Sequence, residues 1–187
     1  MLSCSLSRGA APVRSWSTSF AFLIAGVALL TLGAKTQIPF WPVPMTLHTL
    51  VVMALAVAAG PRLAVATFVA YLGVGALGLP VFSGTPERGL GLAYMAGPTG
   101  GYLMGYLVAS GLVGFLAAGR GFVGRLGAML AGLVAIYALG VAGLIPFVPT
   151  SHLFTAGVAP FLVADLIKVL IVAVGASAVS RLREVRS

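Results

Sequence analysis

Charge is what this chain has least of. Only 7% of its 187 residues are Asp, Glu, Lys or Arg, just three of these are acidic, and 60% of the chain is hydrophobic. Soluble domains carry about a quarter of their residues as charges, so a water-soluble globular fold is excluded and an integral membrane protein is indicated. Cysteine is nearly absent as well. Cys4 is the single one, which excludes an internal disulfide and a thiolate metal cluster.

The motifs of common chemistry are missing too. Gly33-Ala34-Lys35-Thr36 echoes a nucleotide-binding P-loop, but it lacks the spaced first glycine and the Gly-Lys adjacency. No HExxH pair and no supported Ser-His-Asp set occurs, so the chain reads as a non-enzyme with no cofactor and no metal site of its own. A net charge of +8 raises the question of nucleic acid. The basic residues are scattered over loops and ends without an aromatic-basic stripe, and a nucleic-acid partner is rejected. Internal repeats, low-complexity tracts and coiled-coil heptads are not evident.

What is present is apolar length. Crossing ~30 Å of hydrocarbon takes about 20 apolar residues, and six runs fit: about 18–34, 46–59, 62–78, from Thr99 onward, 124–145 and 160–179. Short connections leave one transmembrane domain over 1–187, with a tail at about 1–17, a bundle at 18–181 and a tail at 182–187. Arg8 and Arg14 before the apolar stretch 20–32 give the outline of a secretory signal. That stretch continues for a full span, so it is read as a retained first helix. Arg62 is taken as the turn between two unusually short spans.

Small residues mark close helix contacts. Ala21 and Ala25 lie one turn apart in the first span; Gly97, Gly101 and Gly105 recur in the fourth, and Gly124, Ala128 and Gly132 in the fifth. Two connections are peculiar. Pro39, Pro42 and Pro44 keep the segment 36–45 extended around Phe40 and Trp41. The longest connection, 79–98, is rich in glycine and proline yet carries Phe82, Tyr94 and Met95, so it is expected to fold back onto the bundle.

Lys and Arg sort unevenly across six spans. Arg8, Arg14, Arg62, Arg120, Arg125, Arg181, Arg183 and Arg186 fall on one side, and Lys35 and Arg88 on the other. The positive-inside tendency puts both termini in the cytoplasm. Asp165 and Lys168 interrupt the last apolar run, three residues apart and hence on one helix face. A lone charge at mid-membrane costs on the order of 2.5–3.5 kcal/mol. The pair offsets this, either as a helix-to-helix tie or as a polar binding point. It lies ~7–8 Å past Pro160, beneath the two peculiar connections on the outer side, as a pocket for something arriving from outside.

Four stretches carry a resemblance: Gln37-Ile-Pro-Phe-Trp-Pro-Val-Pro-Met-Thr46, Gly78-Leu-Pro-Val-Phe82, Gly97-Pro-Thr-Gly-Gly-Tyr102 and Asp165-x-x-Lys168. Together they are similar to the BioY family, the biotin-binding substrate-specificity (S) components of energy-coupling factor (ECF) transporters. Only the two tails fall outside the resemblance. Where that family usually has Gln, this chain has His48, which leaves the role of that position open.

The resemblance implies a compact all-α bundle of six transmembrane helices in the cytoplasmic membrane. It implies biotin as ligand, with a membrane coupling subunit and two cytoplasmic ABC-type ATPases as partners. Ala21 and Ala25 match the small face that meets the coupling subunit. Biotin offers a ureido group with two N–H donors and one acceptor, an apolar ring and chain, and a carboxylate. Asp165 and Lys168 suit the ureido group. Arg88 suits the carboxylate, and Trp41, Phe40 and Tyr94 suit the apolar parts.

Three other readings remain on the sequence. They are an S component for another vitamin, an intramembrane enzyme using Asp165 and His48, and a structural subunit that binds nothing. Whether the chain transports alone, as a homo-oligomer or only with ATPases is left open.

Overall fold

A computed structural model describes residues 16–39 and 41–186. The apolar runs form helices because hydrocarbon offers no other partner for backbone N–H and C=O groups. In chain order come α1 (Trp16–Lys35), a ribbon of β1 (Gln37–Ile38) and β2 (Met45–Thr46), α2 (His48–Ala59) and α3 (Pro61–Ala76). Then follow α4 (Gly91–Met95), α5 (Gly100–Ala117), α6 (Phe122–Leu144), α7 (Leu153–Gly157) and α8 (Ala159–Arg186). By length and hydropathy α1, α5, α6 and the segment ending in α8 are long and apolar enough to cross a membrane; α2 and α3 are apolar but shorter.

The break between α2 and α3 corrects the expected position of the turn. Arg62 lies inside α3, because Gly60 alone makes the corner with φ +77° and Pro61 begins the next helix. Proline there is pre-set for a helix start and leaves no useful donor missing. α5 crosses close to this corner: a Cβ on Gly114 would come within 2.6 Å of the Pro61 nitrogen. Pro160, where the last apolar run was expected to begin, sits in the first turn of α8, where a proline breaks no helix hydrogen bond.

α5 and α6 form the tightest pair. A Cβ on Gly101 would meet the Leu139 carbonyl at 2.4 Å, and one on Gly105 would meet Ile136 Cα at 2.7 Å. Of the expected small-residue stripe, Gly101 and Gly105 therefore make the close approach. Gly97 lies in the turn ahead of α5. On α6, Gly132 faces Val113 of α5, whereas Gly124 meets only the Arg120 side chain.

α1 joins through Gly26 against Thr67 of α3 and Gly33 against the start of α2. Its Leu30 and Ala34 are buried, and its Ala21 and Ala25 are exposed on the outer face.

The strands Gln37–Ile38 and Met45–Thr46 are extended and close into an antiparallel ribbon that pairs Gln37 with Thr46 and Ile38 with Met45, while residues 41–43 bend between them. Two-residue strands carry no sequence signal of their own, so a purely helical chain was the expectation. Between the strands, Pro42, Val43 and Pro44 are buried. They occupy the space that α2, only 12 residues long and therefore ~18 Å, leaves unfilled at that end.

Candidate ligand-binding site

The space under the ribbon is a cavity. It is lined from α1, α2, α3, α4, α5, α6, α8, the ribbon and the loop after α3, with an empty volume of about 570 Å³ that includes open solvent at its mouth. All five tyrosines of the chain line it: Tyr71, Tyr94, Tyr102, Tyr106 and Tyr137. Asp165, Lys168 and His48 line it as well.

One wall is a closed polar cluster. Lys168 Nζ donates to Asp165 Oδ1 at 2.7 Å and to the Thr46 carbonyl at 2.6 Å. The Tyr137 hydroxyl donates to Asp165 Oδ2 at 2.9 Å. The two alternatives left by the sequence thus coincide in one place. The pair ties α8 to α6 and to the ribbon, and it also faces the cavity. Asp165 is buried and Lys168 nearly so. Each carboxylate oxygen has one engaged partner and room for another, and the ammonium has one of its three N–H groups unassigned.

The opposite wall is aromatic. His48 packs edge-on to Phe68 at 5.8 Å and tilted against Tyr71 at 5.2 Å and Tyr106 at 4.8 Å. Phe82 stacks on Tyr94 at 4.9 Å and meets Tyr71 edge-on at 5.4 Å. Phe82 can lie there because residue 75 is glycine: a Cβ would fall 2.0 Å from the ring. The Tyr71 hydroxyl donates to the Val81 carbonyl, and the Thr49 and Tyr106 hydroxyls are 3.1 Å apart.

Among the described residues, two buried side-chain polar atoms have no hydrogen-bond partner, His48 Nε2 and the Tyr94 hydroxyl. The Thr99 side chain is near Tyr94 but outside hydrogen-bond geometry. Burial pushes the Tyr94 phenol above its ordinary range, partly offset by Thr99 and by Arg88, so it remains a neutral donor.

The loop 77–99 folds back as expected, burying Val81, Phe82, Ser83, Thr85 and Tyr94. Polar contacts fasten it to the ribbon side. Lys35 Nζ donates to the Thr85 carbonyl at 2.7 Å and to Thr85 Oγ1 at 2.9 Å. Ser83 donates to Gln37 Oε1. Arg88 Nη1 donates to the Pro42 carbonyl at 3.2 Å.

Of the residues singled out by sequence, Asp165, Lys168 and Tyr94 meet in the cavity lining. Arg88 is exposed, bonded to the ribbon segment at Pro42 and outside the lining. Trp41 is 73% exposed and outside the lining, because its successors Pro42, Val43 and Pro44 take the inward positions. Phe40 lies outside the described residues. Sequence reasoning missed Tyr71, Tyr102, Tyr106 and Tyr137. The four-residue spacing of Tyr102 and Tyr106 on one helix face was the available signal.

The chain is 38% identical over 142 residues to the probable biotin transporter BioY of Pyrococcus horikoshii, an alignment covering 76% of this chain and 83% of that protein. With the biotin transporter BioY of Thermotoga maritima it shares 37% identity over 148 residues, 78% of this chain and 86% of the other. Its fold matches the crystal structure of the S-component for biotin from an ECF-type ABC transporter with a TM-score of 0.78. That match has 25% sequence identity and covers 94% of this chain and 95% of that one. The family model for BioY matches residues 7–185, essentially the whole chain, and the protein belongs to the BioY family.

Proposed function

We propose that this protein takes up biotin across the cytoplasmic membrane as a high-affinity S component, without catalysis, energised by an ATP-driven ECF module. The observation that carries this reading is the cavity: five tyrosines, an internally neutralised Asp165–Lys168 pair and two open hydrogen-bonding atoms under two outer loops. It suits a ligand that is mostly apolar, with one neutral polar head and one anionic tail.

Asp165 accepts from the ureido N–H groups through its remaining lone pairs, and Lys168 offers its third N–H to the carbonyl. Phe82 and Tyr71 flank the ring and chain. Tyr94 and Arg88 receive the carboxylate. Trp41 shapes the outer entrance. Counted over six spans, the charge asymmetry supports both termini being cytoplasmic, and in that orientation the cavity lies on the outer side. The partners are a membrane coupling subunit, met by Ala21 and Ala25, and two ABC-type ATPases.

The test is retention of radiolabelled biotin by the purified chain alongside other labelled vitamins. Tight, saturable binding of biotin is expected. Preference for another vitamin, or loss of substrate mass with time, overturns the reading.

A further inference from the structure

His48 is the odd member of the cavity. It is buried at 4% exposure, ringed by Phe68, Tyr71 and Tyr106, and its Nε2 has no partner. A buried polar atom without a hydrogen bond costs about 1–3 kcal/mol, and native interiors hold few of them. Here the residue lines the cavity, in which Asp165, Lys168, Tyr102, Tyr106 and Tyr137 all have protein partners. Among the described residues, the buried side-chain polar atoms with no partner at all belong to His48 and Tyr94.

The two atoms suit different ends of a ligand. Tyr94 lies close enough to Arg88 to feel its charge, so an anionic group there has a cation nearby. The rings packed against His48 are Phe68, Tyr71 and Tyr106, which bring no positive charge. An unpaired carboxylate in such surroundings is heavily penalised by desolvation. A neutral imidazole nitrogen, donor or acceptor according to tautomer, fits a flat uncharged group bearing both N–H and C=O.

Resting on the biotin reading above, we propose that His48 is a specificity-determining contact whose Nε2 hydrogen-bonds the neutral cyclic urea of the ligand. It completes a head-group site that Asp165 and Lys168 open from the other side.

The proposal has a signature that a packing role lacks. His48→Leu keeps the volume and removes the unsatisfied atom, so the ligand-free protein should be as thermally stable as wild type or more so. Biotin affinity should nevertheless fall at least about tenfold. Because the urea is the contacted group, biotin and its carboxamide should lose affinity by the same factor. His48→Gln, which keeps a hydrogen-bonding group at similar reach, should bind biotin within about threefold of wild type.

Isothermal titration of the three proteins with both ligands, and thermal unfolding without ligand, decide the matter. Unchanged affinity in His48→Leu overturns the assignment, as does an equal loss in His48→Gln. Lower stability of ligand-free His48→Leu, or a loss confined to biotin over its carboxamide, also overturns it, in favour of packing and of carboxylate contact respectively. Wild-type protein that fails to bind biotin brings down the biotin reading itself.

Discussion

At the scale of single residues, the site turns on how two charges are held. Asp165 has a hydrogen-bond donor on each oxygen, Lys168 on one and Tyr137 on the other. Asp165→Asn keeps an acceptor for one of them and deprives Lys168 of its counter-charge. Losing a charged hydrogen-bond partner costs about 1.5–3 kcal/mol, so biotin affinity is expected to fall roughly ten- to hundredfold in a protein that still purifies. Wild-type affinity in the variant would remove Asp165 from the site.

Lys168→Met is expected to behave differently. It leaves a buried carboxylate with Tyr137 as its remaining donor, and breaking a buried pair from one side destabilises by ~3–5 kcal/mol. Thermal unfolding in detergent should show a clear loss for Lys168→Met and a substantial recovery in the double variant Asp165→Asn/Lys168→Met. Additive losses would mean that the two charges are not coupled in stability.

At the scale of elements, the two connections behave as one unit because Ser83 and Arg88 tie the loop to the ribbon segment, while Lys35 ties the same loop to α1. The two cations are nonetheless expected to separate kinetically. Lys35→Met releases the loop from α1 and should speed dissociation of biotin and of its carboxamide equally, since an ordering loop acts mainly on the off-rate. Arg88→Ala should speed biotin more than the carboxamide, because it removes the charge facing the tail as well as the Pro42 contact. Matching off-rate increases for both ligands in Arg88→Ala would reduce that residue to a clasp.

Much of this layer was legible in the sequence. Glycines four apart on α5 made the close contact with α6. The described part of the proline segment is non-helical, and the apolar glycine-rich loop folded inward. Each of these is a local signal that tertiary packing reinforces. The ribbon, α4 and α7 were not legible, since pieces this short have no periodicity to read, and the corner at Gly60 was read two residues late, at Arg62. The tyrosine lining escaped for another reason. Tyr71, Tyr94, Tyr102, Tyr106 and Tyr137 sit on four different helices, and only the packing of those helices brings them together. Asp165 and Lys168 were conspicuous because apolar sequence surrounds them, whereas a tyrosine in a membrane helix is unremarked.

At the scale of the whole molecule, α1 shows which surface remains for a partner. Gly26, Leu30, Gly33 and Ala34 face the bundle. On the outer face, Ala21, Ala25 and Ala28 form a row of small exposed side chains beside Phe20, Ile24 and Leu32. Lipid would be satisfied by large side chains throughout. A row of alanines lets another helix approach closely enough for backbone-to-backbone packing. The cavity lining includes Ala34 from α1 but neither Ala21 nor Ala25, so docking and ligand binding are separable on this helix. Ala21→Trp/Ala25→Trp is therefore expected to abolish co-purification with a membrane coupling subunit while leaving biotin affinity within about threefold of wild type. Both properties are measurable on one preparation, by affinity pull-down of the coexpressed subunits and by titration with biotin. A complex that survives both tryptophans would show that this face meets lipid. Joint loss of complex and binding would show that α1 supports the cavity through the same face.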